Sequence, residues 1–219
     1  VYFVLIGVTH KNTLLTGLSS KEGTYHFVAG FLYITEQTRT KQVICGIIFI
    51  MLKLGRMKEM LFRRATIDDI DLVTAVEAEC FPAAEAAPRE QFHDRLSVYP
   101  THFWLCYEGD KIIGFIDGFV SDEEILTDEM FADAKLHNEA GAWQMIFGLN
   151  TLPQYRRQGY AGAMIEKLVE DARQQGRKGV ILTCKERLIH YYAKFGFVDE
   201  GLSCSNHGGA VWHQMRIRF

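Results

Sequence analysis

The stretch NTLPQYRRQGYAGAMIEKLVEDARQQG, residues 150–176, runs from a basic loop containing glycine directly into a helical pattern. From Ala161 to Ala172, apolar residues recur at three- and four-residue spacing with charged residues between them, which predicts an amphipathic helix. Gly176 suits the left-handed position after the last turn. No Ser, Thr, Asp or Asn stands at the helix start as a cap, so we expect the first N–H groups, near residues 159–162, to face a ligand.

The loop before this helix has the chemistry of a phosphate site. Gly159 and Gly162 allow the backbone to approach a ligand closely, and a helix N-terminus attracts anions. Arg156 and Arg157 add positive charge and forked donors that match phosphate oxygens. A tight strand-to-helix turn with solvated arginines is the alternative. The common nucleotide-binding sequences, G-x-x-x-x-G-K-[ST] and G-x-G-x-x-G after an early strand, do not occur.

The composition is that of an ordinary globular protein. Its 219 residues are 48% hydrophobic and 23% charged, and the formal net charge is −3. A nucleic-acid or membrane-surface binder would carry an excess of Lys and Arg, so we expect neither partner. The five cysteines are scattered and form no CxxC pair. We therefore predict no disulfide framework and no metal site, and a reducing, cytoplasmic setting.

Residues 1–56 differ from the rest of the chain. They hold two apolar runs, at 1–8 and 43–52, and neither reaches the about 18 to 20 residues that cross a bilayer. The chain opens on Val, and Met57 and Met60 stand just before the first well-patterned strand. We interpret 1–56 as an extension of uncertain status, either an over-extended reading frame or an accessory segment or anchor, and 57–219 as the compact domain.

From residue 61 onward, the patterns predict alternating strands and helices in an α/β domain. A charged connection without a predicted element, residues 121–142, separates the hairpin from the central apolar strand. The predicted elements are, in order, a strand at 61–66, helices at 67–81 and 89–99, a hairpin of strands at 102–108 and 111–120, a strand at 143–151, the long helix, a buried strand at 179–184, a short helix at 187–195 and two final strands.

This order and two motifs resemble those of the GCN5-related N-acetyltransferases (GNAT). The motifs are RRQGYA at 156–161, similar to the family's acyl-CoA loop, and YAKFGF at 192–197. The resemblance covers residues 61–219 and implies a GNAT fold of the α/β (α+β) class, with a mixed central sheet of about six to seven strands flanked by about four helices. Within the family, the chain resembles the serotonin (arylalkylamine) N-acetyltransferases, which share an acidic segment like the one at 122–129.

The resemblance implies acetyl-CoA as the co-substrate. In the family, the backbone of the glycine loop holds the pyrophosphate, and the strand before the loop pairs with the pantetheine arm. The residues so placed in this chain are Leu149, Asn150, Thr151, Arg156, Arg157, Gln158, Gly159, Tyr160, Ala161 and Gly162. In the family this strand also separates from its neighbour, and Gly148 suits such a distortion. Close packing is the other reason for a glycine there.

Tyr192 lies where the family places the acid that protonates the departing thiolate. A structural tyrosine packed near the sulfur is the alternative. Tyr191 should point elsewhere, because adjacent helical residues do not share a face. Cys184 is on a predicted buried strand, and we interpret it as a core residue rather than a nucleophile.

The chain departs from the animal serotonin enzymes at the step that deprotonates the amine. Where those enzymes carry two histidines on the central strand, this chain has Met145 and Phe147, which cannot accept a proton. Either a water chain to Glu85, Glu90 or Asp122 replaces them, or the substrate arrives partly neutral. The sequence leaves both routes open.

We therefore expect an N-acetyltransferase that moves an acetyl group from acetyl-CoA to a small, arylalkylamine-like primary amine by direct attack in a ternary complex. Five residues are candidates for an aromatic pocket: Phe81, Phe92, Phe119, Met145 and Phe147. The alternatives are a protein lysine or N-terminal acetyltransferase and a non-catalytic CoA-binding regulatory module. A loop at 81–88 folded over the site would favour a small molecule, whereas an open groove would favour a protein. A homodimer is left open.

Overall fold

The computed structural model describes residues 2–9, 12–21 and 24–32 as backbone strands and residues 60–219 in full. The chain divides into two compact units, Val1–Lys58 and Glu59–Phe219. In the first unit, β1 (Tyr2–Thr9), β2 (Asn12–Lys21) and β3 (Thr24–Leu32) form an antiparallel sheet in that order. The apolar run at 43–52 and the domain start predicted at Met57 lie outside the described residues.

The second unit has the order of elements that the sequence predicts. Its elements are β4 (Met60–Arg64), α1 (Ile70–Cys80), α2 (Arg89–Val98), β5 (Phe103–Glu108), β6 (Lys111–Asp117), β7 (Val120–Ser121), α3 (Asp128–Ala132), β8 (Trp143–Ile146), β9 (Gly148–Thr151), α4 (Tyr160–Gln174), β10 (Gly179–Cys184), α5 (Ile189–Ala193), β11 (Val198–Leu202) and β12 (His213–Arg218). The differences from the prediction are the short elements β7 and α3 in the charged connection, and a central strand that is split in two.

The split of the central strand divides the domain into two sheets. β8 runs parallel to β10 and pairs with it as far as Ile146 opposite Leu182. β9 then leaves β10 and pairs antiparallel with β6, with Gly148 opposite Asp117. The sheets have the orders β4-β5-β6-β9 and β11-β12-β10-β8-β7. β9 and β10 therefore diverge after residue 147 and leave an opening between them.

A buried ion pair lies at the point where the strand breaks. Arg95 Nη1 donates to Asp117 Oδ2 at 3.0 Å, and the two side chains are 5% and 0% exposed. A Cβ atom at Gly148 would lie 2.4 Å from Asp117 Oδ1, so only glycine fits beside this carboxylate. The N–H group of Phe147 donates to the backbone oxygen of Asp117 at 2.8 Å. Both reasons that the sequence suggests for a glycine at position 148 therefore apply: the strand is distorted there, and the Asp117 carboxylate packs against the backbone.

Helices cover both faces of the four-stranded sheet. α1 and α2 bury Val73, Phe92 and Leu96 against apolar side chains of β5 and β6 on one face. α4 buries its apolar stripe, including Met164 and Leu168, on the opposite face and against β10. Each such buried side chain contributes about 1.5–3 kcal/mol to stability relative to an exposed one. The alternation of side chains along β5 and β6 supplies both cores.

α4 begins and ends where the sequence predicts. Gly159 precedes it with a φ of 94°, no side chain caps its first turn, and Gly176 follows its last turn with a φ of 73°. The helix has 15 residues and alternates apolar with charged side chains. Within residues 60–219 and the described strands, no helix is both long and apolar enough to cross a membrane.

We predict that the first unit is dispensable for the second. A truncated protein beginning at Met57 should be soluble, should unfold cooperatively on heating, and should be as active as the full chain, because the cores described above lie within residues 60–219. Differential scanning calorimetry and an acetyl-transfer assay on both proteins test this. Aggregation of the truncated protein would show that the first unit covers part of the core.

We also predict that Gly148→Ala destabilises the domain. The added methyl would overlap Asp117 Oδ1, which is held by Arg95, so the variant should lose about 1–3 kcal/mol of unfolding free energy. Urea denaturation of the variant and the wild type measures the difference. An unchanged midpoint would mean that β9 and β6 have room for a side chain at this position.

Candidate active site

The loop between β9 and α4 presents an uncapped helix N-terminus at an exposed turn. Gly159 adopts a left-handed conformation, and a Cβ atom there would meet no atom within 4 Å. Arg157 has a φ of 60°, an uncommon conformation for a residue other than glycine. Left-handed residues in such a turn orient neighbouring backbone N–H groups toward one side, which suits an anion. The exposed Arg157 side chain adds positive charge to this turn.

Arg156 braces the same loop. Its Nε donates to the backbone oxygen of Thr151 at 3.1 Å, and its Nη2 donates to the backbone oxygen of Cys80 at 3.3 Å. The guanidinium therefore ties the loop to β9 and to the last residue of α1. In the structure the Arg156 guanidinium holds the loop, and the Arg157 side chain is exposed at the turn.

A cavity of about 160 Å³ occupies the opening between β9 and β10. Its wall combines apolar rings with a few polar groups, as small-molecule sites do. The residues that line it include Glu77, Phe81, Glu85, Phe131, Phe147, Leu149, Cys184, Tyr192, His207 and Trp212. The cavity thus brings together α1, the loop after it, the two diverging strands, α5 and the loop between β11 and β12.

Tyr192 lines this cavity, as the resemblance implies, and Tyr191 does not. Tyr192 is 8% exposed and packs against Phe197 at a ring distance of 6.0 Å. Burial, followed by the nearby Cys184 and Tyr191, raises the pKa of its phenol far above the usual value, so the proton stays on the oxygen at neutral pH. Tyr191 instead packs on Phe195 at 5.4 Å.

Glu77 is the acid that sequence reasoning missed. It is 6% exposed, its Oε1 accepts the N–H of Ala87 at 3.0 Å, and its Oε2 has no protein partner. Burial raises the pKa of its carboxyl to about 7. The sequence pattern could have indicated it, because Glu77 shares the buried face of α1 with Ile70 and Val73. An acidic residue on an apolar helix face is a candidate functional residue.

Of the three carboxylates proposed from the sequence, Glu85 lines the cavity. Its Oε1 lies 2.6 Å from Lys185 Nζ, so its charge is balanced. Glu90 and Asp122 do not line the cavity. Asp122 accepts hydrogen bonds from Asn138 Nδ2 and from the N–H of Ala142, both at 3.0 Å, which places it in the structure of the charged connection.

Three segments close over one side of the cavity: the loop after α1, the α3 segment and the loop between β11 and β12. His207 Nε2 donates to the backbone oxygen of Glu85 at 3.0 Å, which joins the loop after β11 to the loop after α1. The His207 ring also stacks on Phe131 of the α3 segment at 5.4 Å. Asp128 at the start of α3 accepts the N–H of Asn206 at 3.2 Å. The loop at 81–88 is therefore folded over the site, and the site is not an open groove.

The aromatic pocket differs from the predicted one. Phe81 and Phe147 line the cavity, whereas Phe92, Phe119 and Met145 are fully buried in the core. Met145 and Phe147 contact the same apolar cluster, but Met145 is fully buried in it, whereas Phe147, at the break between β8 and β9, also lines the cavity. The rings that complete the pocket belong to Phe131 of α3 and to His207 and Trp212 of the segment between β11 and β12.

Cys184 lines the cavity but is not an activated nucleophile. It is 1% exposed, and its Sγ lies 3.4 Å from Met215 Sδ. Burial raises the pKa of its thiol to about 11, so the thiolate is scarce at neutral pH. This agrees with its interpretation as a core residue.

One group of side chains among the described residues has the spacing of a metal site: His102, His137 and Glu139, at a distance from the cavity. His137 Nδ1 accepts the N–H of Val120 at 3.1 Å, so its proton must be on Nε2, the atom that faces Glu139 at 3.2 Å. A protonated nitrogen cannot ligate a metal. Arg177 Nη2 also donates to Glu139 at 2.8 Å, and the group forms an ion-pair network instead.

The family model described as "Acetyltransferase (GNAT) family" matches residues 70–197, which include the loop, the split strand and Tyr192. The chain belongs to this GNAT acetyltransferase family. It is therefore an N-acetyltransferase by family, and its fold of two sheets with helices on both faces is the GNAT fold.

Similar proteins agree with this assignment. The serotonin N-acetyltransferase of Mesocricetus auratus is 25% identical over 144 residues, which are 64% of this chain and 68% of that protein. The loading GNATL domain of CurA from Lyngbya majuscula has a TM-score of 0.65 at 17% identity, covering 73% of this chain and 97% of that one. The PaiA N-acetyltransferase of Thermoplasma acidophilum, solved with coenzyme A, has a TM-score of 0.55 at 13% identity, covering 74% and 99%.

Proposed function

We propose that this N-acetyltransferase moves the acetyl group of acetyl-CoA to a small primary amine, by direct attack in a ternary complex. The observation that carries the proposal is the cavity between β9 and β10, where the Glu77 carboxyl and the Tyr192 phenol line one small space. A carboxyl whose pKa is raised to about 7 suits a general base at neutral pH, and a phenol that keeps its proton suits a general acid.

The loop before α4 supports an acyl-CoA ligand. Its uncapped N-terminus, its left-handed Gly159 with open space beside it and the exposed Arg157 suit a pyrophosphate. The proposed contacts are the backbone of residues 156–162, the exposed Arg157 side chain and the backbone of Leu149, Asn150 and Thr151. A structural neighbour from Thermoplasma acidophilum was solved with coenzyme A, which favours the same ligand here.

Acetyl-CoA supplies the activated acetyl group as a thioester, and the side chains of the cavity move the protons. Glu77 Oε2, which has no protein partner, takes a proton from the substrate ammonium. The neutral amine forms the C–N bond at the acetyl carbonyl, the C–S bond breaks, and Tyr192 donates its proton to the departing sulfur. The attacking nitrogen loses its second proton as the C–S bond breaks, and this proton restores the Tyr192 phenol through solvent. The proton on Glu77 is released to solvent, so the products are the N-acetylated amine, the CoA thiol and one proton.

Direct attack is favoured over an acetyl-cysteine intermediate. Cys184 is the cysteine that lines the cavity, and burial raises its pKa to about 11. A thiol held in its protonated form is a weak nucleophile. The amine itself must therefore attack the thioester while both substrates are bound.

The size and the cover of the cavity favour a small amine over a protein. An engineered cavity of about 150 Å³ holds a benzene molecule, and the cavity here has about 160 Å³. Phe131, Phe147 and Trp212 provide aromatic walls. The loop at 81–88 crosses above them, so a lysine on a folded protein would not reach Glu77 without opening this cover. The serotonin N-acetyltransferase relative points to an arylalkylamine.

The charges in the cavity favour a cationic substrate. Glu85 is balanced by Lys185, and Asp117 is balanced by Arg95. The Oε2 atom of Glu77 has no partner, and no cation in the described residues forms an ion pair with this carboxylate. An ammonium group would supply that charge, and the aromatic walls would add cation–π attraction.

A thiol-release assay with acetyl-CoA tests the proposal. Phenethylamine and tryptamine should be acetylated, whereas a lysine peptide and a peptide with a free N-terminus should not. Acetyl-CoA binding measured by calorimetry runs beside the assay. Binding without turnover of any amine would instead identify a CoA-binding regulatory module, and turnover of the peptides alone would identify a protein acetyltransferase.

The Gly159→Val substitution should weaken acetyl-CoA binding. A β-branched residue cannot easily hold a φ of 94°, so the loop would leave the conformation that directs its N–H groups to the pyrophosphate. Gly176→Val is the matched control, because Gly176 also has a positive φ and open space but lies at the other end of α4. Calorimetry should show weaker binding for Gly159→Val alone. Equal affinities for the two folded variants would contradict the assignment.

The Tyr192→Phe substitution should lower kcat on the order of 100-fold or more, with little change in acetyl-CoA affinity. Tyr191→Phe removes the same hydroxyl from the neighbouring ring, which does not line the cavity, and should keep most of the rate. Steady-state kinetics on both variants makes the comparison. If both keep the wild-type rate across the pH range, Tyr192 is structural and water protonates the thiolate.

The Glu77→Gln substitution should remove a break in the pH profile. Because the carboxyl has a pKa raised to about 7, the base is ionised above that pH and protonated below it. Wild-type kcat/KM should therefore fall as the pH drops through about 7, in addition to the titration of the amine. In Glu77→Gln the rate should be low and this break should be absent. A break that survives in the variant would assign it to another group.

A further inference from the structure

The domain contains several buried polar side-chain atoms without a protein partner. In the described part of the chain there are seven such side-chain atoms, and they belong to Glu77, Arg95, Tyr99, Asp117, Asn150 and Thr151. Buried polar groups are nearly always hydrogen-bonded, and exceptions mark sites with a function. These residues come from α1, α2, the turn after α2, β6 and β9, and two of them, Glu77 and Arg95, line the cavity.

Asn150 is the member of this group that stands next to Glu77. It is 0% exposed on β9, and β9 packs against α1, which carries Glu77. Asn150 Nδ2 lies 3.3 Å from the position of a Cβ atom at Gly148, beside Asp117 and Phe115, on the face of the sheet that α1 and α2 cover. The Asn150 amide is close enough to the Glu77 carboxylate to lower its pKa, but neither amide atom forms a well-oriented hydrogen bond. Both amide atoms of Asn150 and Oε2 of Glu77 therefore lack a protein hydrogen-bond partner.

We propose that Asn150 is a positioning residue whose amide orients Oε2 of Glu77 and hydrogen-bonds to it in both the ionised and the protonated state. The inference rests on the proposed role of Glu77 as the base. An amide offers two N–H donors and one carbonyl acceptor. It can donate to the ionised carboxylate and, after a rotation about its side chain, accept from the protonated acid. An apolar residue could do neither, and a carboxylate could not donate to an ionised Glu77.

The surroundings explain why such a partner is needed. Burial raises the proton affinity of Glu77, and the nearby Asp117 raises it further. The N–H of Ala87, the Asn150 amide and the more distant Arg95 favour the ionised form. Arg95 is already committed to Asp117 and to the backbone oxygen of Phe131, and the N–H of Ala87 contacts the other oxygen, Oε1. The Asn150 amide is thus the group that can rotate to donate to Oε2 or to accept from it.

The backbone of Asn150 has a separate role. It pairs with Phe115 in the sheet, and in the proposed function it contacts the pantetheine arm. A side-chain substitution that keeps β9 in place changes the environment of Glu77 but not the backbone groups. Acetyl-CoA affinity and the pH profile therefore report the two roles separately.

Asn150→Leu is the main test variant, since it keeps a similar volume and removes the amide. The pH at which kcat/KM falls on the acidic side of the profile, the acidic limb, should rise by about one unit, which is the scale of one hydrogen bond to a charged group. The rate should approach that of wild type at high pH, and acetyl-CoA affinity should be unchanged. Asn150→Asp should move the limb further upward, because a second carboxylate disfavours ionisation of Glu77.

Tyr99→Phe is the matched control. It also removes a buried, unpartnered polar atom of the same group, but the Tyr99 hydroxyl is not among the groups that shift Glu77. Its acidic limb should stay in place. Should Asn150→Leu fail to fold by circular dichroism, Asn150→Ala carries the same expectation.

A readout independent of turnover separates this inference from the proposed function. The ¹³C carboxyl resonance of Glu77, assigned by its loss in Glu77→Gln, should titrate at a higher pH in Asn150→Leu than in wild type. An unchanged titration in a folded Asn150 variant overturns the role of Asn150. A pH profile that keeps its break in Glu77→Gln, with the resonance shifted as expected, instead overturns Glu77 as the base.

Discussion

The buried ion pair between Arg95 and Asp117 is the interaction on which the site depends. It joins α2 to the end of β6, and the Asp117 carboxylate fills the space in which a side chain at position 148 would lie. Removing one partner of such a pair costs about 3–5 kcal/mol, so neither side chain can move aside alone. The backbone at Gly148 can accordingly turn from β10 toward β6, and the cavity opens where the strands part.

The same ion pair also affects the cavity wall near Phe131 and contrasts with the unpaired charge of Glu77. Arg95 Nη2 donates to the backbone oxygen of Phe131 at 3.1 Å, which positions the ring that stacks on His207. Burial alone would lower the pKa of Arg95, but Asp117 raises it above its usual value and the charge is kept. Glu77 has no comparable cation, so burial dominates and raises its pKa to about 7. An ion pair with balanced charge beside an acid without a cation supports the proposed ammonium substrate.

Patterns within a short segment predicted the elements well. α4 was predicted with both ends, because its amphipathic spacing and its flanking glycines act on neighbouring residues. The hairpin of β5 and β6 and the buried strand β10 followed in the same way. The central strand was predicted as one piece at 143–151, although the family resemblance implied a distortion for which Gly148 is suited. The break depends on Asp117 and Arg95, which are distant in sequence.

The sequence by itself determined the family, the order of elements, the uncapped loop before α4 and the position of Tyr192, since contiguous motifs carry all of them. Only the tertiary structure decided that Glu77 and Tyr192 line one cavity, that Arg156 braces the loop, and that Met145 is buried in the core. The physical reason is that a proton affinity and a cavity wall are set by neighbours in space. Around Glu77 these neighbours come from different segments, which meet only when the chain has folded.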